Sequence, residues 1–532
     1  MKAFRFKAIA AVVLTLAILA GCSGGGSKPS EQTPAQKEPA KSEPAKPKTL
    51  TIAGGTNATS MDIHKVSDSP SFSILEHINE TLFTMSPTGE IKPNLAESFT
   101  ANPDGKSYTI KLRSGIKFSD GTPFNAEAVK LNFERVLKPE TKAAFRSLIA
   151  LVTKVETPDE LTVVLHTSKP FAPLQFHLTH SGVGIIAPSA LAKGDDWLAT
   201  NTIGTGPYTL KEFKKDQSTT LVKNPNYWGT PAKIDEVTYK AVKEAGPRLV
   251  EVESGAADIA TNVPANDVAR LKANPDIDVT TVPGLRILYV MFNNQKPPFN
   301  DVRVRQAINY GVDKEAIVKN LLGGAGRVLD APMAEPIFGY SKQTPYARDV
   351  AKARQLLADA GIKPGTKITL HHPTGRYAQD AKVAEAIAAQ LKEIGLEVEL
   401  KTLEWAQYLA FTAKPSAESE MQMAMLGWST PTMDADYALY NLFHSSLWPD
   451  KNGFNRSFYK NPQVDALLEK GQTTVDPAQR KAAYAEAIKL IWQDAPWLFL
   501  HSETQLTAVR KNVTGFVTHP SERIVWTNAD KK

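Results

Sequence analysis

Residues 367–403 read KITLHHPTGRYAQDAKVAEAIAAQLKEIGLEVELKTL, and this stretch decides the fold class. Its first six residues form a short β-prone run, and residues 396–401 near its end alternate strictly between apolar and polar side chains. Gly395, between helix and second strand, favours a left-handed C-terminal cap. Strand, helix and strand in this order predict a parallel α/β unit with a right-handed crossover. The helix carries apolar residues at the spacing of one face, namely Val383, Ile387, Leu391 and Ile394.

The loop between this first strand and its helix is a candidate ligand contact. Ligands of open α/β sheets bind outside the carboxyl ends of the strands, and here that edge is residues 373–377. Arg376 can fork onto a carboxylate, and Tyr377 can stack on a ligand or donate to it. The alternative is a solvated Arg376 with Tyr377 packed on the helix, and the sequence favours neither.

Other segments carry equally explicit signals of secondary structure. Residues 48–53 and 107–113 alternate as strands, and residues 153–157 and 161–167 flank a Pro-Asp-Glu turn, which predicts a hairpin. Helices are expected to begin after N-cap residues, because Asp and Asn side chains satisfy free backbone N–H groups there. These N-caps are Asp301, Asp313, Asn461 and Asp476.

Composition and charge narrow the class of protein. A chain of 532 residues with 42% hydrophobic content predicts two or three globular domains. One cysteine excludes an internal disulfide, a Cys-based zinc site and an iron–sulfur cluster. Of the net charge of +6, residues 1–21 carry +3 and residues 23–49 carry +2, so residues 50–532 carry +1. A nearly neutral body is not steered to nucleic acid, and no such partner is expected.

The N-terminus predicts export and lipid anchoring. Residues 8–21 form an apolar run of 14 residues after three basic residues, too short to span a bilayer and typical of a secretory signal. The following Cys22 completes Leu-Ala-Gly-Cys, which resembles the bacterial lipobox and implies cleavage before Cys22 and lipid attachment to its sulfur. The alternative is an ordinary buried cysteine. Residues 22–48 are rich in Pro, Lys and Glu, which predicts a disordered tether.

A search for catalytic motifs is negative. HExxH, GxSxG, GxxxxGK[ST] and GxGxxG do not occur, so an enzyme is not expected. The close histidine pairs His177/His180 and His371/His372 lack a third ligand, so neither a metal site nor a cofactor is predicted. Aromatic residues are concentrated in residues 405–448 and suit the binding of peptides or sugars, although core packing is favoured for each one taken singly. Trp428 is the exception, because it ends the apolar run 423–426 at a loop.

Five motifs resemble a known family in its order along the chain. Residues 94–136 (NLAESFTANPDGKSYTIKLRSGIKFSDGTPFNAEAVKLNFERV) resemble the signature of the peptide/nickel/oligopeptide solute-binding proteins of ABC importers. Four further segments agree, namely GTGPY (204–208), NPNYWG (224–229), PFNDVRVRQAINYGVD (298–313) and GWSTPTMDADY (427–437). The resemblance covers residues 48–525.

The resemblance implies a bilobal α/β clamshell of the periplasmic-binding-protein type (type II, cluster C). Lobe I would be residues 48–283 with the return 496–532, including an extra subdomain at about 90–200, and lobe II would be residues 284–495. A monomer would hold its ligand between the lobes, and the closed form would dock on an ABC permease that has a cytoplasmic ATPase.

The ligand implied is a short peptide. Dipeptide-binding members carry an Asp soon after Gly-Trp, whereas Pro431 stands near that place here. The segment from Gly427 onward, with GRYAQD and IWQDAPW, looks more like the glutathione-binding branch. Arg376 would take a carboxylate, and Asp434 or Asp436 would take the amine. The alternatives are a nickel-chelate binding protein of a nickel importer and a ligand-binding sensor component.

The expected ligand contacts come from the loop after the first strand, the strand entering lobe II, the loop 373–377, the position after the strand 396–403 and the Gly-Trp segment. Tyr289 and Phe292 could instead be core residues, and Asn293 a turn residue. The residues are Thr56, Asn57, Tyr289, Phe292, Asn293, Arg376, Tyr377, Trp405, Trp428, Ser429, Thr430, Asp434 and Asp436.

Overall fold

A computed structural model describes residue 25, residues 46–103 and residues 105–532. The compact body spans Pro47–Lys532. The predicted signal segment, Cys22 and residues 22–45 of the predicted tether, apart from residue 25, lie outside the described residues. Among the residues that are described, no helix combines the length and apolar character needed to span a bilayer.

The body is a mixed α/β structure. Its strands are β1 (Thr49–Gly54), β2 (Phe83–Met85), β3 (Ile91–Pro93), β4 (Ala96–Ala101), β5 (Ser107–Leu112), β6 (Val152–Asp159), β7 (Thr162–Thr167), β8 (Tyr208–Lys214), β9 (Ser218–Lys223), β10 (Glu236–Ala241), β11 (Ile259–Ala260), β12 (Ile277–Phe292), β13 (Gly326–Val328), β14 (Thr366–His372), β15 (Leu396–Thr402), β16 (Met423–Trp428), β17 (Trp497–Arg510), β18 (Val513–Thr514), β19 (Val517–Thr518), β20 (Ile524–Val525) and β21 (Asp530–Lys531).

Its α-helices are α1 (Ser69–Leu75), α2 (Ala126–Leu137), α3 (Leu174–His177), α4 (Pro188–Leu191), α5 (Asp195–Leu198), α6 (Ala245–Ser254), α7 (Val268–Lys272), α8 (Val302–Gly311), α9 (Lys314–Ala316), α10 (Val350–Asp359), α11 (Asp380–Glu393), α12 (Trp405–Thr412), α13 (Ala435–Phe443), α14 (Pro462–Thr473) and α15 (Pro477–Asp494).

One large sheet runs through the body in the order β15-β14-β16-β12-β17-β11-β1-β10-β9-β8, with β13 added on β17. The predicted strand–helix–strand unit is confirmed, because β14 and β15 pair in parallel and α11 connects them. Gly395 has a φ of +96°, the left-handed conformation predicted for the helix end.

The long antiparallel strands β12 and β17 join the two parts of the large sheet. Their register shifts between Pro283 and Ile287, which interrupts the regular ladder. The β17 segment Trp497–Ser502 pairs with residues Ile287–Met291 of β12, which follow the shift. The same residues of β12 pair with β16 on their other side. Leu498 and Leu500 pack in the same core as α8 and α11.

A separate four-stranded antiparallel sheet, β4-β5-β7-β6, lies in the segment 90–200. The predicted hairpin is confirmed as β6 and β7, which pair antiparallel. Helix α2 contributes Val129, Phe133 and Val136 to the buried core beside this sheet.

The four predicted helix starts are confirmed. The side chains of Asp301, Asp313, Asn461 and Asp476 each accept a hydrogen bond from a backbone N–H of the first turn. The helix after Asp313 differs in kind from the prediction, because α9 ends at Ala316 and the chain continues as a π-helical turn over Ile317–Leu321.

His77 lies buried after α1 as a neutral imidazole. Its Nδ1 donates to the carbonyl of Ser73 at 2.9 Å, and its Nε2 accepts from the backbone N–H of Trp526 at 3.1 Å. The ring stacks on Trp526 with 3.6 Å between centroids. Burial lowers the pKa of His77 to about 3.

Protonation of His77 therefore opposes folding in mild acid. The unfolded imidazole binds a proton as pH falls through about 6.5, whereas the folded one does so only near pH 3. This difference costs about 2 kcal/mol of folding free energy between pH 7 and pH 5. We expect the free energy of unfolding to fall between pH 7 and pH 5 by about 2 kcal/mol less in His77→Gln than in wild type. Urea unfolding at the two pH values measures this difference. An unchanged loss in the variant would contradict the assignment.

Candidate ligand-binding site

A cavity lies where β14 and β16 end at the same edge of the sheet. Its lining comes from widely separated segments of the chain: Ser67, Asp68, Ser69, Phe72, Phe145, His180, Ser181, Tyr289, Arg376, Tyr377, Trp405, Leu409, Leu426, Gly427, Trp428, Ser429, Pro431, Tyr437, Leu442, Phe454, Arg456, Ser521 and Arg523.

Aromatic rings form one wall of this cavity. Phe145 stacks on Phe454 at 4.8 Å between centroids and on Tyr437 at 5.8 Å. Trp428 lies 5.1 Å from both Tyr437 and Phe454. Stacked and tilted rings give a large apolar surface with little conformational freedom to lose, so this wall suits the apolar part of a ligand.

The cavity also presents buried donors that have no acceptor among the described residues. They are the indole N–H groups of Trp405 and Trp428, the Ser429 hydroxyl and the Nε atoms of Arg376 and Arg456. Most buried polar groups in proteins are hydrogen-bonded, and leaving one unsatisfied costs about 1–3 kcal/mol. A ligand rich in acceptor oxygens would satisfy these groups.

Tyr437 adds a further donor through a fixed histidine tautomer. The Gly182 N–H donates to Nδ1 of His180 at 2.9 Å, so the proton of the neutral ring is on Nε2. That Nε2 donates to the Tyr437 hydroxyl oxygen at 2.9 Å, which leaves the hydroxyl proton for another acceptor. Burial, together with nearby Arg523 and His177, holds the pKa of His180 well below its usual value.

Arg456 is a buried guanidinium on the cavity wall, with 8% of the residue exposed. Its Nη1 donates to the Thr412 hydroxyl at 2.7 Å, and in the described part of the chain it forms no ion pair with a carboxylate. Burial lowers the pKa of Arg456, but a guanidinium stays protonated in proteins. The cavity therefore holds one cation whose charge is not balanced by an adjacent acid.

Asp68 is the corresponding anion. It caps α1 by accepting from the Ser71 N–H at 3.1 Å, and it also accepts from the hydroxyls of Ser71 and Thr59. No lysine or arginine of the described chain forms an ion pair with it. Burial raises the pKa of Asp68, because these neutral donors offset its lost hydration only in part.

Arg376 and its neighbours form a closed group of charges. Arg376 forks onto Glu522, with 3.1 Å from Nη2 to Oε2, and Glu522 also contacts Arg286. Arg286 in turn pairs with Glu503. Tyr377 lies under both guanidiniums, with its ring centroid 4.8 Å from Arg376 and 5.0 Å from Arg286. The Arg376 fork is thus already occupied by a carboxylate of the protein itself.

Comparison with known proteins identifies the family of this chain. Residues 90–450 match the sequence model of the bacterial extracellular solute-binding proteins, family 5 Middle. The chain belongs to this family.

Among curated relatives, the glutathione-binding protein GsiB of Pectobacterium atrosepticum is 32% identical over 486 residues, 91% of this chain and 94% of that protein. The glutathione-binding protein GsiB of Escherichia coli O157:H7 is 33% identical over the same coverage.

Among solved structures, DppA from Helicobacter pylori in complex with peptide STSA matches with a TM-score of 0.85 and 28% identity, covering 91% of this chain and 98% of that one. AgaA from A. tumefaciens R10 in complex with agropinic acid matches at 0.82 and 29%, covering 91% and 99%. The predicted bilobal α/β clamshell of the solute-binding proteins is confirmed.

Six of the predicted contacts of this family 5 protein line the cavity: Tyr289, Arg376, Tyr377, Trp405, Trp428 and Ser429. Thr56 and Asn57 line a neighbouring cavity that reaches Trp405 but not the aromatic wall. Thr430 is buried in the turn that its carbonyl forms with the N–H of Met433.

Four predicted contacts have partners inside the protein instead. Asp434 caps α13 and pairs with Arg480 at 2.9 Å, and Asp436 lies 3.2 Å from Nε2 of His177. Phe292 stacks on Phe299 with 5.3 Å between centroids, and Asn293 donates to the Met421 carbonyl at 3.1 Å. None of these four side chains lines the cavity.

Other lining residues were not predicted from the sequence. Asp68 stood before Ser-Pro, which is an N-cap pattern and could have indicated a buried carboxylate at a helix start. Phe145, His180 and Arg456 carry no local signal, because each reaches the cavity through contacts distant in sequence. In the described part of the chain, no group of three or more His, Cys, Asp or Glu is positioned to hold a metal ion.

Loss of one charge from the group Arg286, Arg376, Glu503 and Glu522 should lower the free energy of unfolding of this family 5 chain strongly. Glu522→Gln would leave two buried guanidiniums facing a neutral amide, and breaking a buried pair costs about 3–5 kcal/mol. Glu486→Gln is the matched control, because Glu486 pairs with Lys489 at 3.0 Å on the surface and should cost less than about 1 kcal/mol. Urea unfolding measures both, and equal losses would refute the expectation.

Proposed function

We propose that this protein captures a short peptide with a free carboxylate and delivers it to an ABC importer. The observation that carries the proposal is Arg456, a buried guanidinium that faces a cavity of aromatic rings and unsatisfied donors and has no acidic partner there. A buried arginine with free donors binds a carboxylate in forked geometry.

The charges of the cavity favour a zwitterion. Arg376 is balanced by Glu522, and Arg523 is balanced by Glu76. Asp68 and Arg456 remain, one of each sign. We therefore assign the ligand carboxylate to Arg456 and the ligand ammonium to Asp68, in place of Arg376 and the pair Asp434/Asp436.

Glutathione is the ligand we propose first. It is a short γ-linked peptide with two carboxylates and one ammonium, so its acceptors exceed its donors as the cavity requires. Two further observations support a compact peptide-like solute. Curated relatives that cover most of this chain are named for glutathione binding, and the solved DppA structure holds the peptide STSA.

Calorimetric titration of the purified protein with glutathione tests this assignment. We expect saturable binding at sub-millimolar concentration, with glutathione recovered intact, since binding and not turnover is proposed. Arg456→Met should weaken binding about 10- to 150-fold, the equivalent of the about 1.5–3 kcal/mol of a hydrogen bond to a charged group. No heat from wild type at sub-millimolar glutathione would eliminate this ligand.

Two glutathione derivatives, each with one carboxylate converted to a carboxamide, identify the group that Arg456 holds. For one derivative, amidation should weaken binding to wild type at least tenfold but weaken binding to Arg456→Met less than threefold. Such a difference between the two penalties is expected when the carboxylate and Arg456 are in direct contact. Equal penalties in both proteins would exclude Arg456.

Arg305→Met is the matched control for Arg456→Met. Arg305 is similarly buried and also lacks an acidic partner among the described residues, but its nitrogens donate to the carbonyls of Phe299, Asp494 and Ala495. It does not line the cavity. Arg305→Met should lower stability and leave glutathione affinity unchanged in the folded protein.

For the lobes, we propose one change from the sequence-based boundaries. Lobe I is residues 48–283 with its extra subdomain, but the return begins near Glu503 instead of residue 496. The β17 residues Trp497–Ser502 pair with β12 beyond the register shift, and Leu498 and Leu500 pack in the core of α8 and α11. Ligand would then favour closure by contacting both lobes at once.

Lipid anchoring through Cys22 remains a proposal from the lipobox resemblance. A lipid-anchored body outside the cytoplasm could reach a permease in the same membrane, with the segment 22–48 as its tether. We expect Cys22→Ser to move the protein from the membrane fraction to the soluble fraction and to abolish labelling by radioactive palmitate. The unchanged glutathione affinity of Cys22→Ser serves as control for folding. Retention in the membrane fraction would argue against this anchor.

A further inference from the structure

A second cavity adjoins the ligand cavity. The two share Ser181 and Arg523 among their lining residues. The second cavity has about 1080 Å³ of non-atom space and is also lined by Glu76 and Glu80. Its lining includes exposed residues such as Val517, so it opens on the protein surface.

An ion pair lies where the two cavities meet. Nη1 of Arg523 contacts Oε2 of Glu76, and the Ser181 hydroxyl donates to the same oxygen at 3.4 Å. The Arg523 and Glu76 side chains are 14% and 15% exposed. Arg523 faces both cavities, whereas Glu76 lines the second one only.

The second cavity has a chemistry of its own. Glu76 keeps one buried carboxylate oxygen without a hydrogen-bond donor among the described residues. Glu80 accepts from the Thr205 hydroxyl and the Trp228 indole, both at 2.8 Å, and from the Tyr227 hydroxyl at 3.1 Å. Two carboxyl groups against one guanidinium favour a basic group in this space and disfavour an acidic one.

We infer that the Arg523–Glu76 pair limits the length of the ligand, and that the second cavity is an extension subsite for a basic or neutral peptide residue. The inference rests on the proposed function, because it supposes a peptide in the first cavity. A longer ligand could enter the second cavity only by displacing the pair.

The test compares wild type with Arg523→Ala by calorimetry, using glutathione, tri-alanine and penta-alanine peptides that carry lysine or glutamate at either end. Wild type should bind a short probe and exclude the longer peptides. Arg523→Ala should bind at least one lysine-bearing longer peptide tenfold or more tightly than wild type does, and more tightly than its glutamate counterpart. Arg135→Ala is the matched control, because Arg135 is 13% exposed, pairs with Asp62 at 2.6 Å and lines neither cavity.

A crystal structure of Arg523→Ala gives a second readout that needs no ligand. The two cavities should be continuous in it. The inference is overturned if the cavities stay separated in Arg523→Ala. It is also overturned if Arg523→Ala and wild type prefer peptides of the same length, or if wild type binds the longer peptides as tightly as the short ones. Wild type that binds no short peptide would instead refute the proposed function, while continuous cavities in the variant would still support separation of the cavities by the ion pair.

Discussion

The buried charges of Arg286, Arg376, Glu503 and Glu522 are the constraint on which the site depends. Arg286 lies on β12 at the register shift, Glu503 lies opposite on β17, and Arg376 reaches Glu522 from the loop after β14. Each charge has lost most of its water, so only mutual pairing makes its burial tolerable. The arrangement therefore holds β12, β17, this loop and the C-terminal return in one relative position, and that position defines one side of the cavity.

Mutual neutralisation in this group determines which charges remain for a ligand. Arg376 contacts Glu522, whereas Arg456 has no acidic partner among the residues that the structure describes. Tyr377, held under two guanidiniums, accepts from the Gly427 N–H at 2.7 Å and thereby fixes the start of the Gly-Trp segment. The unsatisfied indoles of Trp405 and Trp428 line the same cavity, next to these buried charges.

Local structure was predictable where the signal lies within a few residues. The N-caps at Asp301 and Asp476 satisfy donors in their own first turn, and the helix face around Val383 repeats with the period of the helix itself.

The site was predictable only in part. The sequence indicates that Arg376 can fork onto a carboxylate, and in the structure its two Nη atoms contact Glu522, which is 146 residues away along the chain. Asp434 and Asp436 were recognised as acids near an aromatic segment, yet α15 supplies Arg480 and α3 supplies His177 to engage them.

The sequence by itself determined the parallel strand–helix–strand unit, the helix starts, the family resemblance and the aromatic character of the region 405–448. These depend on periodicity, on capping chemistry and on motifs that are contiguous in the chain. Only the tertiary structure decided which charged side chains neutralise one another and which are left for a ligand. The physical reason is that burial makes pairing obligatory, while the choice of partner follows from distances between segments that the chain brings together only on folding.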